Sequence, residues 1–429
     1  MRFTILLLTI CILQQGFSQA ELSDMSKNYI LRNVNIIPIN KDTILKNQMV
    51  IITGNKITLI TDDNDKAFQP VDRYFFIDCK DKFLMPGLAD MHAHFPEYNE
   101  LKNYLTLNLS AGVTSIRSMR GDETHLNIKK DKNLPQLNLY LSSPPITKAL
   151  TIDKKTADSI VTVSKENGFV FLKVLSIKDS LSFTNLAAAC KTHSFPFCGH
   201  GLSNISMPLL LKSGYNSIEH LTGYAENLNK GDAYVDKLIK LTTKHKVYNC
   251  ATEDYFELGY NMQSITDLKK RNGLKYIADT TIVKWDKEIT EDQTKIGDTK
   301  LKEHREAYIK MRGIKNKILV SLVKNNAQLL IGADAGSNYS IPGFALLEEM
   351  KHHSNAGLTN YQVLCAATIN AAKYMNQSKK WGTVEINKEA NLILLNANPL
   401  IDLNNLNSVE GVFINSEYKT VKELESELK

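Results

Sequence analysis

The sequence predicts an α/β protein in which eight parallel strands close into a (β/α)8 barrel. In the middle of the chain, short apolar runs with strand character alternate with helical patterns, which is typical of parallel sheets with crossover helices. Several of these runs end in a residue that can bind a metal or carry a proton, and barrel folds carry their chemistry at the carboxyl ends of their strands. The predicted strands lie near residues 88–93, 113–117, 137–141, 170–175, 195–200, 216–219, 247–251 and 328–333.

The two ends of the chain differ from the middle. Residues 28–78 contain short strand-like runs separated by turn residues, and residues 382–421 have the same character. We therefore expect residues 21–85 and 380–429 to form one small β-sandwich. The barrel would then occupy residues 86–379.

The gap between the seventh and eighth predicted strands is far longer than one crossover helix needs. Residues 254–315, within this gap, are polar and rich in Lys and Glu, so we expect helices over the barrel mouth. A lid and a solvated insertion without a role both fit this pattern.

The composition is that of an ordinary globular protein. Of the 429 residues, 43% are hydrophobic and 23% are charged, and the formal net charge is +6. No dense basic stripe with interleaved aromatic residues is present, which argues against nucleic acid as a partner. The cysteines are widely spaced and mostly lie in apolar runs, so we expect buried free thiols and no disulfide framework.

The first twenty residues have the pattern of a signal peptide. Arg2 precedes an apolar run at residues 3–13, which is too short to span a bilayer, and Ser18 and Ala20 mark a small-x-small cleavage site. We expect a signal peptide at residues 1–20, a secreted or periplasmic mature chain, and no membrane span in it.

A pair of histidines is the first sign of a metal site. His92 and His94 are two residues apart in an apolar strand, so their side chains point to the same face. Neutral imidazoles suit zinc and similar divalent ions. A pair of this kind also occurs in cores and on surfaces, so its interpretation depends on further residues.

Four further residues supply that support. Lys173 interrupts an apolar run, and burial pushes a lysine toward its neutral form, although a lysine can also extend its amine to the rim. His200, His220 and Asp334 each end a predicted strand. The strand ends of a parallel barrel meet at one face, so we expect these side chains to lie together.

Together these segments resemble the amidohydrolase superfamily, and most closely its imidazolonepropionase-like and Xaa-Pro dipeptidase-like branch. PGLADMHAH at residues 86–94 resembles the first-strand motif, and GVTSIR at 112–117 resembles the second strand. FLKV at 171–174 resembles the strand with the metal-bridging lysine, and residues 382–396 resemble the segment that re-enters the β domain. Asn391 departs from the aspartate more usual in that segment.

The resemblance implies a binuclear metal site and a hydrolytic reaction. It implies two divalent ions. Zinc is the first candidate, and manganese and cobalt are also compatible. The implied ligands are His92, His94, carbamylated Lys173, His200, His220 and Asp334, with Asp334 also acting as general base. A metal-bridging hydroxide would attack an amide-like C–N bond, most often in dipeptides, including Xaa-Pro, or in N-acyl amino acids.

Other functions stay open at this point. A cyclic amide, a lactone or a phosphotriester would be attacked in the same way, because enzymes for these substrates would differ only in the loops at the barrel mouth. A non-catalytic metal-binding protein is the alternative from another class. Whether the chain forms a homo-oligomer is also open.

The residues that contact the small-molecule substrate are harder to predict. Arg117, at the end of the second strand, could hold a substrate carboxylate through two hydrogen bonds. Tyr255 follows the seventh strand and is a candidate at the mouth. In a regular strand Glu219 points away from the face of His220, so it is not expected to be a ligand.

Overall fold

The computed structural model describes residues 27–63 and 73–428. The signal peptide predicted at residues 1–20 lies outside the described residues. None of the helices in the described part combines the length and the apolar character that crossing a bilayer requires.

The described residues form strands at both ends and alternating strands and helices in between. The strands are β1 (Asn28–Ile36), β2 (Leu45–Thr53), β3 (Lys56–Asp62), β4 (Tyr74–Asp78), β5 (Phe83–Pro86), β6 (Leu88–Ala93), β7 (Val113–Ser118), β8 (Asn138–Leu141), β9 (Leu172–Val174), β10 (Phe197–His200), β11 (Ser217–Glu219), β12 (Tyr248–Cys250), β13 (Leu329–Leu330), β14 (Leu392–Leu395), β15 (Val409–Ile414) and β16 (Glu417–Thr420). The α-helices are α1 (Leu101–Ser110), α2 (Lys154–Glu166), α3 (Ser180–Thr192), α4 (Met207–Lys212), α5 (Asp232–Lys244), α6 (Glu253–Gly259), α7 (Ile265–Leu268), α8 (Asp279–Ile296), α9 (Asp298–Lys324), α10 (Phe344–Asn355), α11 (Asn360–Ala366), α12 (Ile369–Tyr374) and α13 (Val421–Glu427).

The middle of the chain contains eight parallel strands, one at each predicted position. They form a three-stranded sheet, β6-β7-β8, and a five-stranded sheet, β13-β12-β11-β10-β9. Backbone hydrogen bonds connect the two sheets on both sides, from Ile146 N to Lys173 O at 2.8 Å and from Met91 N to Ile331 O at 2.9 Å. The structure therefore has the strands of the predicted barrel, although the ladders divide them into two sheets and do not form one continuous ring.

Six of the eight parallel strands are shorter than the apolar runs that predicted them, and β6 and β7 are the exceptions. The run at 328–333 contains only the two-residue strand β13, yet Ile331 and Ala333 beyond it are fully buried. The apolar sequence thus reports burial, whereas the regular ladder ends earlier, where the backbone turns toward the cavity described below.

Strands from both ends of the chain share one mixed sheet. Its order is β16-β15-β14-β5-β1-β2-β3, and β4 pairs with β1. β14 joins the second part to the first through antiparallel pairs such as Leu392 with Pro86 and Leu394 with Leu84. Because hydrogen bonding is continuous across these strands, the described residues do not show the two facing sheets expected of a β-sandwich. The domain boundaries after residues 85 and 379 stay predictions.

Capping and burial explain how the helices are placed around the parallel strands. The Asp153 carboxylate accepts a hydrogen bond from Thr156 N at the start of α2, and the Asp179 carboxylate does the same from Ser182 N at the start of α3. The helices and strands bury one large shared core. Among its fully buried members are Leu88, Val113, Ile116, Leu172, Phe183, Leu186, Leu210, Ile218 and Leu238.

The long gap between β12 and β13 is helical, as predicted. It contains α6 to α9, of which α8 has 18 residues and α9 has 27. The two long helices are joined at Gly297, whose φ of 80° lies in the left-handed region that glycine tolerates best. An apolar cluster contributed by α7, α8 and the segment after β13 buries Leu268, Ile289 and Tyr339.

Candidate active site

All six residues predicted to hold metal line one cavity of about 610 Å³ at the carboxyl ends of the parallel strands. Five of them lie within a short strand or directly after one, and Asp334 lies four residues beyond the end of β13. The lining residues are His92, His94, Met119, Arg120, Pro145, Thr147, Lys173, Leu175, His200, His220, Thr222, Tyr255, Phe256 and Asp334. The structure therefore brings together residues that are up to 242 positions apart in the sequence.

Asp334 lies at the centre of the imidazoles. Its Oδ1 is 3.0 Å from His94 Nε2 and 3.8 Å from His92 Nε2, and its Oδ2 is 3.9 Å from His220 Nδ1. His92, His220 and Asp334 offer donor atoms that all lie within 4.8 Å of one another. The His200 ring lies 4.9 Å from the His220 ring, centroid to centroid.

The backbone at this site is strained in two places. His220 has a φ of 64° and Asp334 has a φ of 50°. Residues other than glycine rarely adopt this left-handed region. Short backbone hydrogen bonds hold both, from His220 N to Cys250 O at 2.6 Å and from Asp334 N to His92 O at 2.7 Å. Strain of this kind persists only where the surroundings enforce it, and it is concentrated at functional sites.

A glycine allows the strands to approach one another here. A Cβ on Gly332 would lie 2.5 Å from His92 N and 2.7 Å from Cys250 Sγ. No side chain fits in that space, so glycine is needed for the hydrogen bond that aligns Asp334 with His92.

The buried imidazoles are neutral donors at neutral pH. Burial lowers the pKa of His200 to about 4 and lowers the pKa of His92 and His220 well below 6.5. Burial alone would raise the pKa of Asp334, but its neighbours, among them the His94 imidazole that hydrogen-bonds to it, lower that pKa. The cavity thus contains an ionised carboxylate among imidazoles with free lone pairs.

Lys173 is a buried amine in the same cavity. Its side chain is 3% exposed, and burial lowers its pKa. No carboxylate of the described residues lies within ion-pair distance of its Nζ, so an ammonium here would lack a direct counter-ion. This is the environment in which a lysine favours its neutral form.

Glu219 is the residue of the site that sequence analysis missed. It is fully buried, and its Oε2 lies 2.8 Å from His92 Nδ1, which leaves Nε2 of that ring toward the cavity. Similarly, His220 Nδ1 lies 2.6 Å from Thr252 Oγ1. Partners of this kind fix the orientation and tautomer of a metal-binding histidine. As expected, Glu219 does not line the cavity, but its function is to hold a residue that does.

Arg117 does not have the position that a substrate ligand needs, which corrects the prediction made for it. The guanidinium is fully buried among the parallel strands and donates to both oxygens of Glu219, at 2.9 and 3.0 Å. It also donates to Met91 O at 2.5 Å and to Ser217 Oγ at 3.0 Å. All its strong donors are used inside the protein. The sequence did contain a sign of the pair of Arg117 and Glu219. Both charged residues lie within strands that are buried, and buried charges occur in pairs.

The cavity wall supplies other candidates for substrate contact. Tyr255, which was predicted, lines it and is 38% exposed at the rim. Arg120 lines it as well, is exposed, and makes no ion pair with the described acids. The rest of the outer wall is mainly apolar, with Met119, Pro145 and Leu175 among its residues. An anionic group beside an apolar one would therefore suit this cavity.

The donor set fits divalent ions. Four imidazoles, one carboxylate and one amine of lowered pKa converge, and His94 Nδ1 is buried with no hydrogen-bond partner among the described residues. Nitrogen and oxygen donors in this proportion suit zinc and its first-row neighbours.

The buried pair of Arg117 and Glu219 should be strongly coupled in stability. Arg117→Met or Glu219→Gln alone should lower the free energy of unfolding by about 3–5 kcal/mol, because each variant leaves the charge of the other residue buried and unpaired. The double variant should lose clearly less than the sum of the two. Urea unfolding of the three variants measures this. Lys287→Met, which breaks an exposed pair with Glu291, is the control and should change little. Additive losses would contradict the coupling.

Comparisons with known proteins agree with this geometry. A search among curated proteins finds no match. Among solved structures, a Xaa-Pro dipeptidase with bound methionine in its active site is similar at 16% identity and a TM-score of 0.68, over 92% of this chain and 100% of that one. A prolidase complexed with N-methylphosphonate-L-proline is similar at 16% identity and 0.65, over 92% and 100%. Bottromycin amidohydrolase is similar at 17% identity and 0.70, over 94% and 89%.

These similarities give the chain a fold of the TIM-barrel type, in agreement with its eight parallel strands. The profile of the amidohydrolase family matches residues 83–418, which is most of the chain and includes every residue of the cavity. The chain therefore belongs to the amidohydrolase family and is a hydrolase that acts on carbon–nitrogen bonds.

Proposed function

We propose that the protein is an exported binuclear metallohydrolase that cleaves amide bonds of dipeptides, including Xaa-Pro, or of N-acyl amino acids. The observation that carries this proposal is the convergence of four histidines, one buried lysine and one aspartate in a single cavity. The names of the similar structures, a Xaa-Pro dipeptidase and a prolidase, support the substrate class. Export rests on the signal peptide predicted at residues 1–20.

In this proposal His92 and His94 hold one divalent ion, and His200 and His220 hold the other. Lys173, whose pKa burial lowers, would add carbon dioxide with loss of a proton, and its carbamate oxygens would supply further donors for the ions. Zinc is the first candidate because of the imidazole donors. When bound, the two ions would lower the pKa of a water molecule and polarise the scissile carbonyl oxygen.

Asp334 is the proposed general base. Its carboxylate is ionised at neutral pH and lies 3.0 Å from His94 Nε2, where it can also contact the ions. It would accept the proton of the attacking water and deliver it to the leaving nitrogen. The hydrogen bond from Asp334 N to His92 O fixes the distance between the base and the first pair of histidines.

Substrate recognition is assigned to the outer wall of the cavity. Arg120, and not Arg117, would bind the carboxylate of the substrate, because its guanidinium is exposed and free of the described acids. Tyr255 at the rim and the apolar side chains beside it would contact the acyl or amino-acid side chain.

Removing the proposed bridge should remove metal. Wild-type protein loaded with zinc and bicarbonate should contain about two ions per chain, as two-metal sites do. Lys173→Ala should contain clearly fewer, since the bridging oxygens are lost. Metal content after desalting is measured by elemental mass spectrometry, with Lys155→Ala, on the exposed side of α2, as the control. An unchanged content in Lys173→Ala would rule out the bridging role.

A substrate carboxylate should be needed for efficient turnover. Dipeptides with a free carboxylate should react about tenfold or more faster, in kcat/KM, than the same peptides as amides, because a charged hydrogen bond is lost. Arg120→Met should remove this preference and leave amide turnover unchanged, whereas Arg120→Lys should retain part of it. Amine release with and without a chelator measures both.

The same assay tests the reaction itself. The substrates tested are a panel of dipeptides and N-acyl amino acids. Chelator-sensitive release of amine from some of them supports the dipeptidase assignment. No release from any dipeptide or N-acyl amino acid would reject it and would favour a lactone, a cyclic amide, a phosphotriester or a non-catalytic role. Turnover with equal rates for acids and amides would reject the role of Arg120 alone.

A further inference from the structure

We infer that the segment from α7 to α9, residues 265–324, forms a fixed clamp that positions two walls of the active site, and that it is not an opening lid. The inference rests on the proposed function in one respect, because it takes Asp334 as the base and Tyr255 as a substrate contact. The clamp holds two segments: the loop after Asp334, residues 335–343, and helix α6, residues 253–259.

The first contact of the clamp is with the loop after Asp334. Tyr339, five residues beyond Asp334, is fully buried, and its hydroxyl donates to Asp286 Oδ1 of α8 at 2.6 Å. The Trp285 ring packs against the Tyr339 ring, with centroids 5.2 Å apart. Next to it, Asn338 Nδ2 donates to Glu288 of α8 at 3.0 Å. These contacts hold a loop that directly follows the base and contains no helix or strand of its own.

Tyr339 also shows that this loop is held under strain. Its φ of 65° lies in the left-handed region, which a tyrosine rarely adopts. The conformation therefore depends on the surroundings, and α8 supplies the partner of the Tyr339 hydroxyl. Lys269 holds the other oxygen of Asp286 at 2.7 Å, so the acceptor is itself fixed.

The second contact of the clamp is with α6, which carries Tyr255 on the cavity wall. Asp254 is fully buried and accepts two hydrogen bonds from Arg271, at 3.0 and 2.6 Å. Glu253 Oε1 accepts a hydrogen bond from the hydroxyl of Tyr308 on α9 at 2.6 Å. The two residues of α6 that directly precede Tyr255 are thus both bonded to the clamp.

Lys315 of α9 extends the same contact to the metal-binding face. Its Nζ lies 3.8 Å from the centroid of the Phe256 ring, a cation–π contact, and 3.7 Å from Glu253 Oε2. The Phe256 ring in turn packs at its edge on the His220 ring, with centroids 5.6 Å apart. A chain of contacts therefore leads from α9 to a proposed metal ligand.

These contacts argue against a lid that opens. Asp254 has no exposed surface, and lifting Arg271 away would remove two hydrogen bonds from its buried carboxylate, leaving it with His352 Nε2 at 3.7 Å. Breaking such a pair is strongly unfavourable. The helices therefore support the site without opening, a role that differs from both the lid and the insertion without a role that the sequence left open.

Two isosteric variants test the clamp, each deleting one hydroxyl. Tyr339→Phe should lower kcat about fivefold with KM nearly unchanged, because Asp334 is less well placed. Tyr308→Phe should raise KM about fivefold with kcat nearly unchanged, because α6 carries a substrate contact. Tyr234→Phe on α5, whose hydroxyl has no hydrogen bond to the described residues, is the matched control and should change neither. The inference would be overturned if both variants changed kcat and KM to the same extent, or if neither variant changed either parameter.

Hydrogen exchange separates this inference from the proposed function. Tyr339→Phe should speed amide exchange in residues 335–343, and Tyr308→Phe should speed it in residues 253–260, each without an effect on the other segment. This readout needs no turnover. If the wild type hydrolyses no dipeptide or N-acyl amino acid, the proposed function fails. Local hydrogen exchange then still shows whether the clamp exists. Exchange that rises uniformly, or equals that of Tyr234→Phe, would contradict it.

Discussion

The buried ion pair of Arg117 and Glu219 is the interaction on which the rest of the site depends. Both side chains have no exposed surface, so their charges were removed from water and each depends on the other. The pair joins β7 to β11 through the interior of the parallel strands, and Glu219 also orients His92. One network thus holds the strands together and aims the first histidine of the site.

A second constraint follows from what these strands carry into the cavity. Neutral imidazoles, a carboxylate and a buried amine of lowered pKa lie side by side with few partners, an arrangement that costs stability unless something binds them. The left-handed backbone at His220 and Asp334 adds to this cost. Divalent ions would satisfy these donors at once, and the family to which the chain belongs is consistent with this chemistry.

Much of this could be predicted because strands carry their functional residues at their ends. The eight strand positions follow from apolar runs, and the six predicted metal ligands follow from residues in or after these runs together with the resemblance to a known family. The role of Arg117 could not be predicted in the same way, because its partner Glu219 is 102 positions away and only the fold brings them together. The strand period placed Glu219 away from the cavity correctly, but did not show that it contacts His92. Nor could a pattern of polar helices reveal that Tyr339 and Asp254 are anchored to them.

The most direct test of the account is a crystal structure of the protein grown with zinc and bicarbonate, with anomalous scattering recorded at the zinc edge. The account predicts two zinc peaks in the cavity, one beside His92 and His94 and one beside His200 and His220. It also predicts density for a carbamate that extends Lys173 between them. A single peak, or an unmodified Lys173 directed away from the ions, would contradict the binuclear site.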